Sequence, residues 1–138
     1  MNRYTYEEIT VGQTETFSIQ ITEEMMQGFC AVSGDCNPLH TDSEFAKSRG
    51  HRDRVVYGML TASFLSTLAG MYLPGEKSLI HRVETEFPAP VYINDTLHVS
   101  GTVVRKEDAF RTIELKVVIR NQDEKKVCRG KMRIGVIE

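Results

Sequence analysis

Phe17, Ile19 and Ile21 alternate with Ser18 and Gln20, the two-residue period of a strand with one buried face. Thr22 follows, then Glu23 and Glu24. A hydroxyl cap with acids in the first turn predicts a helix from Glu23 to about Val32. The run Ser33-Gly34-Asp35-Cys36-Asn37-Pro38 stops it, because Gly34 permits a left-handed turn and Pro38 pushes Asn37 out of the helical region. Asp42-Ser43-Glu44-Phe45 predicts a second helix start, closed by Gly50. A polar loop, His51 to Arg54, precedes Val55-Val56-Tyr57 and Gly58. The apolar stretch Met59 to Leu73 then predicts a third helix, ended by Pro74-Gly75.

Beyond that helix the pattern changes. Leu97, Val99, Gly101 and Val103 alternate with polar or small residues, and Ile113, Leu115, Val117 and Ile119 do the same. Cys128, Gly130, Met132, Ile134 and Val136 form a third such series. Polar turns at 106–109 and 121–124 separate them, which predicts an antiparallel meander. A helical first half followed by consecutive long strands is an α+β pattern. A helix apolar nearly all round needs cover on most sides, so the expected solution is a curved antiparallel sheet wrapped around a long central helix. The expectation is one domain over residues 1–138.

The composition narrows the function classes. The chain carries a net charge of −2 with 26% charged residues, which calls for neither nucleic acid nor an anionic membrane as partner. Met59 to Leu73 is shorter than the ~20 residues of a bilayer span and is broken by Thr61, Ser63, Ser66 and Thr67. The polar, acidic N-terminal segment leads to the expectation of a cytoplasmic protein. Three cysteines, Cys30, Cys36 and Cys128, form no CxxC pair, which argues against a disulfide framework or a zinc site. Cys36 reads as a small residue in a partly buried loop rather than a nucleophile.

Phe29 to Gly58 holds the candidate chemistry. Asp35 and His40 stand five residues apart with Asn37-Pro38 between them. A carboxylate and an imidazole together move protons in both directions near neutral pH, and proline stiffens their connection. Gly58 permits close approach to the backbone, and the first amides of the helix it opens are free donors. Such donors can stabilise a carbonyl oxygen that gains negative charge, an effect worth ~3–4 kcal/mol.

Phe29 to His40, with Asp42, Phe45 and Ala46, resembles the hydratase motif of the MaoC-like (R)-specific enoyl-CoA hydratases. Val56-Tyr57-Gly58-Met59-Leu60 through Ser66 resembles that family's entry into its central helix. Phe87, Pro90-Val91 and Asn94 to Leu97 resemble the strand after it. The resemblance implies a hot dog fold, a homodimer with sites near its interface, and Asp35 and His40 as catalytic pair. It implies Asn37 as the residue orienting them, the Gly58 amide as oxyanion donor, and Ser66 as a helix serine facing the site. Tyr57, Met59 and Ser63 are expected to border the substrate, although Ser63 also suits a bond to its own helix. The family often has His where this chain has Tyr57, which alters pocket shape.

The implied reaction is syn hydration of a trans-2-enoyl thioester to an (R)-3-hydroxyacyl thioester, or its reverse, without metal or redox cofactor. The substrate is an acyl-CoA or an acyl-carrier-protein thioester. Rival readings are a carrier-protein dehydratase in a biosynthetic pathway, a thioesterase of the same fold, and a non-catalytic acyl-binding subunit. Arg49, Arg52 and Arg54 with His51 could meet phosphates, but each reads more simply as part of a solvated loop. Met25, Met26, Met59 and Met71 read as core, with tunnel lining as the alternative.

Overall fold

The computed structural model describes residues 1–138. In chain order the elements are β1 (Thr14–Gln20), α1 (Glu23–Ser33), α2 (Pro38–Thr41), α3 (Ser43–Ser48) and α4 (Gly58–Thr67). There follow β2 (Ser78–Glu86), β3 (Thr96–Glu107), β4 (Thr112–Arg120) and β5 (Lys126–Val136). The helix begun at Gly58 does not stop at Thr67. It widens into a π-helical turn over Leu68–Tyr72, so the apolar run is helical almost to its predicted end.

The strands make one five-stranded antiparallel sheet in the order β1-β3-β4-β5-β2. The central meander β3-β4-β5 follows the predicted alternation. β1 joins one edge, with Phe17 opposite Val99. β2 joins the other, with Val83 opposite Met132. Periodicity did not reveal β2, for a physical reason. Leu79, Ile80 and Val83 are all exposed, so this edge strand has no covered face to impose alternation.

Leu97, Val99 and Val103 of β3, Leu115, Val117 and Ile119 of β4, and Met132 and Ile134 of β5 line the concave face. Leu60, Phe64, Leu65 and Leu68 of the central helix pack into the same buried cluster. Each such side chain contributes ~1.5–3 kcal/mol of burial. Gly101 makes the approach possible, since a Cβ there would lie 2.7 Å from Cδ2 of Leu68. A long helix laid across a curved antiparallel sheet is the hot dog arrangement that the resemblance implies.

The expectation that the helix is covered on most sides needs correction. Met59 is 65% and Met71 45% exposed, and Ser63 and Ser66 are exposed as well. Positions 59, 63 and 66 form one stripe at helical spacing, pointing away from the sheet. Of the methionines read as core, Met26 is buried and Met25 packs against the core, whereas Met59 and Met71 lie on the surface.

Candidate active site

The segment carrying Asp35 and His40 is built by short-range hydrogen bonds. Thr22 Oγ1 accepts from the Met25 amide and starts α1. Gly34 ends it with φ 75°, its N–H donating to the Cys30 carbonyl at 2.8 Å. That left-handed residue turns the chain back on itself. Ser33 Oγ then accepts from the Asp35 amide at 3.1 Å, and Asp35 Oδ1 accepts from the Asn37 amide at 3.1 Å. Asn37 Oδ1 accepts from the Leu39 amide at 2.9 Å and so caps α2, with Pro38 in its first turn. Asn37 therefore holds the short helix that carries His40.

The same reversal corrects the reading of the cysteines. Cys30 and Cys36 form a disulfide with their Cα atoms 5.6 Å apart, and only Cys128 is free, buried in the core. Cys36 lies in an exposed loop, not a partly buried one. Spacing alone missed the pair because the left-handed turn at Gly34 is what brings position 36 back beside the last turns of α1.

His40 Nδ1 lies 2.7 Å from the Val55 carbonyl oxygen. A carbonyl only accepts, so Nδ1 carries the hydrogen and neutral His40 keeps its lone pair on Nε2. Tyr57 lies on the face of this ring, centroid to centroid 4.1 Å. The Tyr57 hydroxyl donates to the Asp35 carbonyl at 2.7 Å, and Phe29 packs on its ring at 4.7 Å. Asp35, through its main-chain carbonyl, and His40, through its ring face, thus both contact Tyr57, which is only 2% exposed. Burial pushes the Tyr57 phenol above its ordinary value, and the nearby Asp35 charge adds to the effect, so it stays a donor.

Gly58 is the next residue and the first of α4. No side chain caps this helix end, so its opening amides have no intrahelical partner. A Cβ at Gly58 would touch the Phe87 ring at 3.5 Å, which places Phe87 beside the helix start. Met59, Ser63 and Ser66 follow along the exposed stripe. Ser63 Oγ donates to the Leu60 carbonyl at 2.6 Å, the bond to its own helix that its type allows.

The basic loop is occupied by its own neighbours. Arg54 makes a two-pronged ion pair with Glu23 and holds that carboxyl below its ordinary range. Arg52 lies over the Tyr92 ring at 4.2 Å, and Arg49 over Phe45 at 4.9 Å. A cavity of about 610 Å³ lies on the outer face of the sheet among Glu84, Glu86, Lys116 and Lys131. A second, about 510 Å³, lies by Arg52, Arg54 and Tyr92. Neither touches Asp35 or His40, and the overhang from Ala31 to Pro38 is exposed on the single chain. The geometry of Asp35, His40 and the Gly58 helix end therefore locates the candidate site, and cavity size does not. The sequence assigned no role to two contributors: the Val55 carbonyl that orients His40, and Phe29 behind Tyr57.

Residues 7–125 match the family model described as MaoC like domain, well over half of the chain. The chain belongs to this MaoC-like family. Among its MaoC-like relatives, the (R)-specific enoyl-CoA hydratase of Rhodospirillum rubrum is 33% identical over 125 residues, 85% of this chain and 87% of that one. The protein of the same name from Aeromonas caviae is 33% identical over 111 residues, 79% of this chain and 83% of its own. Among solved MaoC-like structures, an R-hydratase from Pseudomonas aeruginosa superposes with a TM-score of 0.91 at 31% identity, covering 97% of this chain and 86% of its own. The similarity thus runs from β1 through the meander and includes the hydratase segment.

Proposed function

We propose that this protein is a hydro-lyase that adds water to a trans-2-enoyl-CoA to form the (R)-3-hydroxyacyl-CoA, and that it catalyses the reverse dehydration. The observation that carries this reading is that Asp35, by its main-chain carbonyl, and His40, by its ring, both contact Tyr57, next to the uncapped start of α4. Relatives of nearly the same length that are named (R)-specific enoyl-CoA hydratases support it.

The thioester carbonyl docks on the Gly58 amide, at the positive end of the helix. His40 Nε2 takes a proton from water as the oxygen attacks the β-carbon. The Asp35 carboxylate relays that proton to the α-carbon from the same face. Negative charge builds on the thioester oxygen in between, where the helix-end donors hold it. The proton lost by the water thus ends on the α-carbon, and His40 and Asp35 both return to their starting forms. Asn37 keeps α2, and with it His40, in place. Met59, Ser63 and Ser66 border the acyl chain along the exposed stripe of α4.

The working unit in this proposal is a homodimer. Leu79 (51% exposed), Val83 (44%) and Phe87 (44%) lie on or just beyond edge strand β2, and Met59 adjoins the helix start. An unpaired strand edge with exposed apolar side chains is suited to pairing with another chain. A second copy there would cover the stripe of α4 and close the open side of the site.

The test is loss of enoyl absorbance over a chain-length series of trans-2-enoyl-CoA substrates, with chiral analysis of the product. Asp35→Asn and His40→Gln are each expected to lower kcat by about 10²–10⁴-fold. Near-full turnover in either variant would remove that residue from the mechanism. Release of free thiol in place of hydration would turn the reading toward a thioesterase. Parallel assays with an enoyl-carrier protein decide which carrier the protein prefers.

A further inference from the structure

We infer that Tyr57 is a positioning residue for the Asp35 and His40 pair, its hydroxyl setting the acid and its ring setting the base. The inference rests on the reaction proposed above and adds a role for a residue outside the reacting atoms.

The two halves of the Tyr57 side chain restrain different motions. Asp35 is held at its amide by Ser33 Oγ at 3.1 Å and at one carboxylate oxygen by the Asn37 amide at 3.1 Å. Its carbonyl accepts from the Tyr57 hydroxyl at 2.7 Å. Without that third bond the peptide plane after Asp35 can turn, and the carboxylate moves with it. His40 is anchored at Nδ1 alone, by the Val55 carbonyl at 2.7 Å. One hydrogen bond leaves an imidazole free to rock. The Tyr57 ring, 4.1 Å away and tilted 31°, blocks that motion from one face. Tyr57 in turn is only 2% exposed and backed by Phe29 at 4.7 Å. It is therefore a rigid support, and its hydroxyl is already used and does not face a ligand. A displacement of about 1 Å in a catalytic group can cost 10²-fold in rate, so such a support acts on kcat.

A buried tyrosine commonly finds some partner for its hydroxyl, and a purely structural role would show as lost stability. Two variants separate the roles. Tyr57→Phe keeps the ring and removes only the bond to Asp35. Tyr57→Leu removes both supports. For Tyr57→Phe, kcat per folded site is expected to fall about tenfold, with KM changed by less than about twofold. For Tyr57→Leu the fall is expected to reach about a hundredfold. Placed on an Asp35→Asn background, Tyr57→Phe is expected to lower the residual rate no further, because its effect runs through Asp35. Melting curves read the folded fraction of each variant.

Unchanged kcat in Tyr57→Phe overturns the inference. So does a raised KM at constant kcat, which would make Tyr57 a substrate contact, and so does a rate loss that only tracks lost folded protein. Full additivity with Asp35→Asn also overturns it. Those outcomes leave the hydratase reading standing. Absence of turnover by the unaltered protein on every enoyl thioester removes the reaction and this role together.

Discussion

Within the turn that carries Asp35, every polar group has a local task. Ser33, Asp35 and Asn37 each accept from a backbone amide two residues on, so the loop is a chain of side-chain turns followed by a short helix. The Cys30–Cys36 bond closes this loop covalently over a sequence separation of 6. A thiol count under denaturing conditions without reductant is expected to find one reactive thiol, Cys128, and three after reduction. Closing so short a loop is worth about 2 kcal/mol in chain entropy. Replacing both Cys30 and Cys36 by Ser is then expected to lower Tm by roughly 5–8 °C. Three thiols without reductant, or an unchanged Tm, would show that the crosslink does not form or does not matter. The residue types at 33 to 40 announced this turn in the sequence. The cysteine pairing was missed because it depends on where Gly34 sends the chain.

Among the elements, β2 shows most clearly what periodicity can miss. Its pairing with β5 depends on one close approach. A Cβ on Gly130 would run into the Glu84 carbonyl and lie 2.9 Å from the Thr85 Cα, both backbone atoms of the facing strand. Gly130→Ala must therefore push the strands apart, and is expected to cost about 1–3 kcal/mol in chemical denaturation. Arg129→Ala next to it, which removes an exposed ion pair with Glu86, is expected to cost less than about 1 kcal/mol. Equal costs would mean that the close approach does not limit this edge. β3, β4 and β5 were legible because each buries one face against the helix, and alternation is the signature of one-sided burial. The central helix was legible from its apolar run, and the shared face of Ser63 and Ser66 from their spacing. Met59 was legible only as core, because nothing in its type distinguishes it from the buried apolar residues beside it.

For the molecule as a whole, two expectations follow. The first concerns assembly. Val83→Glu places a charge in the middle of the exposed β2 edge, and light scattering is expected to show dimers of the unaltered protein and monomers of the variant. A monomeric unaltered protein would remove the homodimer from the proposal, and a dimeric variant would place the interface elsewhere. The second concerns alkaline stability. The N-terminal segment is clamped to the far end of β3, where Lys106 Nζ donates to the Tyr6 and Ile9 carbonyls and Tyr6 donates to Asp108 at 2.7 Å. Burial, with help from Asp108, pushes the Tyr6 phenol up from 10.0 to about 12. The folded chain then holds this proton more tightly than the unfolded chain does. The stabilisation is complete below pH 10.0 and is lost as pH rises toward about 12. Tyr6→Phe is expected to flatten the fall in stability across that window, as read by denaturant titrations. An unchanged slope would assign the alkaline loss to other groups.

By itself the sequence determined the features that short stretches of chain decide: the cap at Thr22, the turn at Gly34, and the alternation of the meander. These depend on neighbours within a few residues, so residue type and spacing suffice. Only the tertiary structure decided what stands behind Asp35 and His40. Val55 reaches His40 across 15 residues of chain, and Tyr57 reaches Asp35 across 22. Contacts of that range exist because the segment entering α4 is tied to Val91 and Tyr92, far along the chain, and no local pattern encodes where packing will place it.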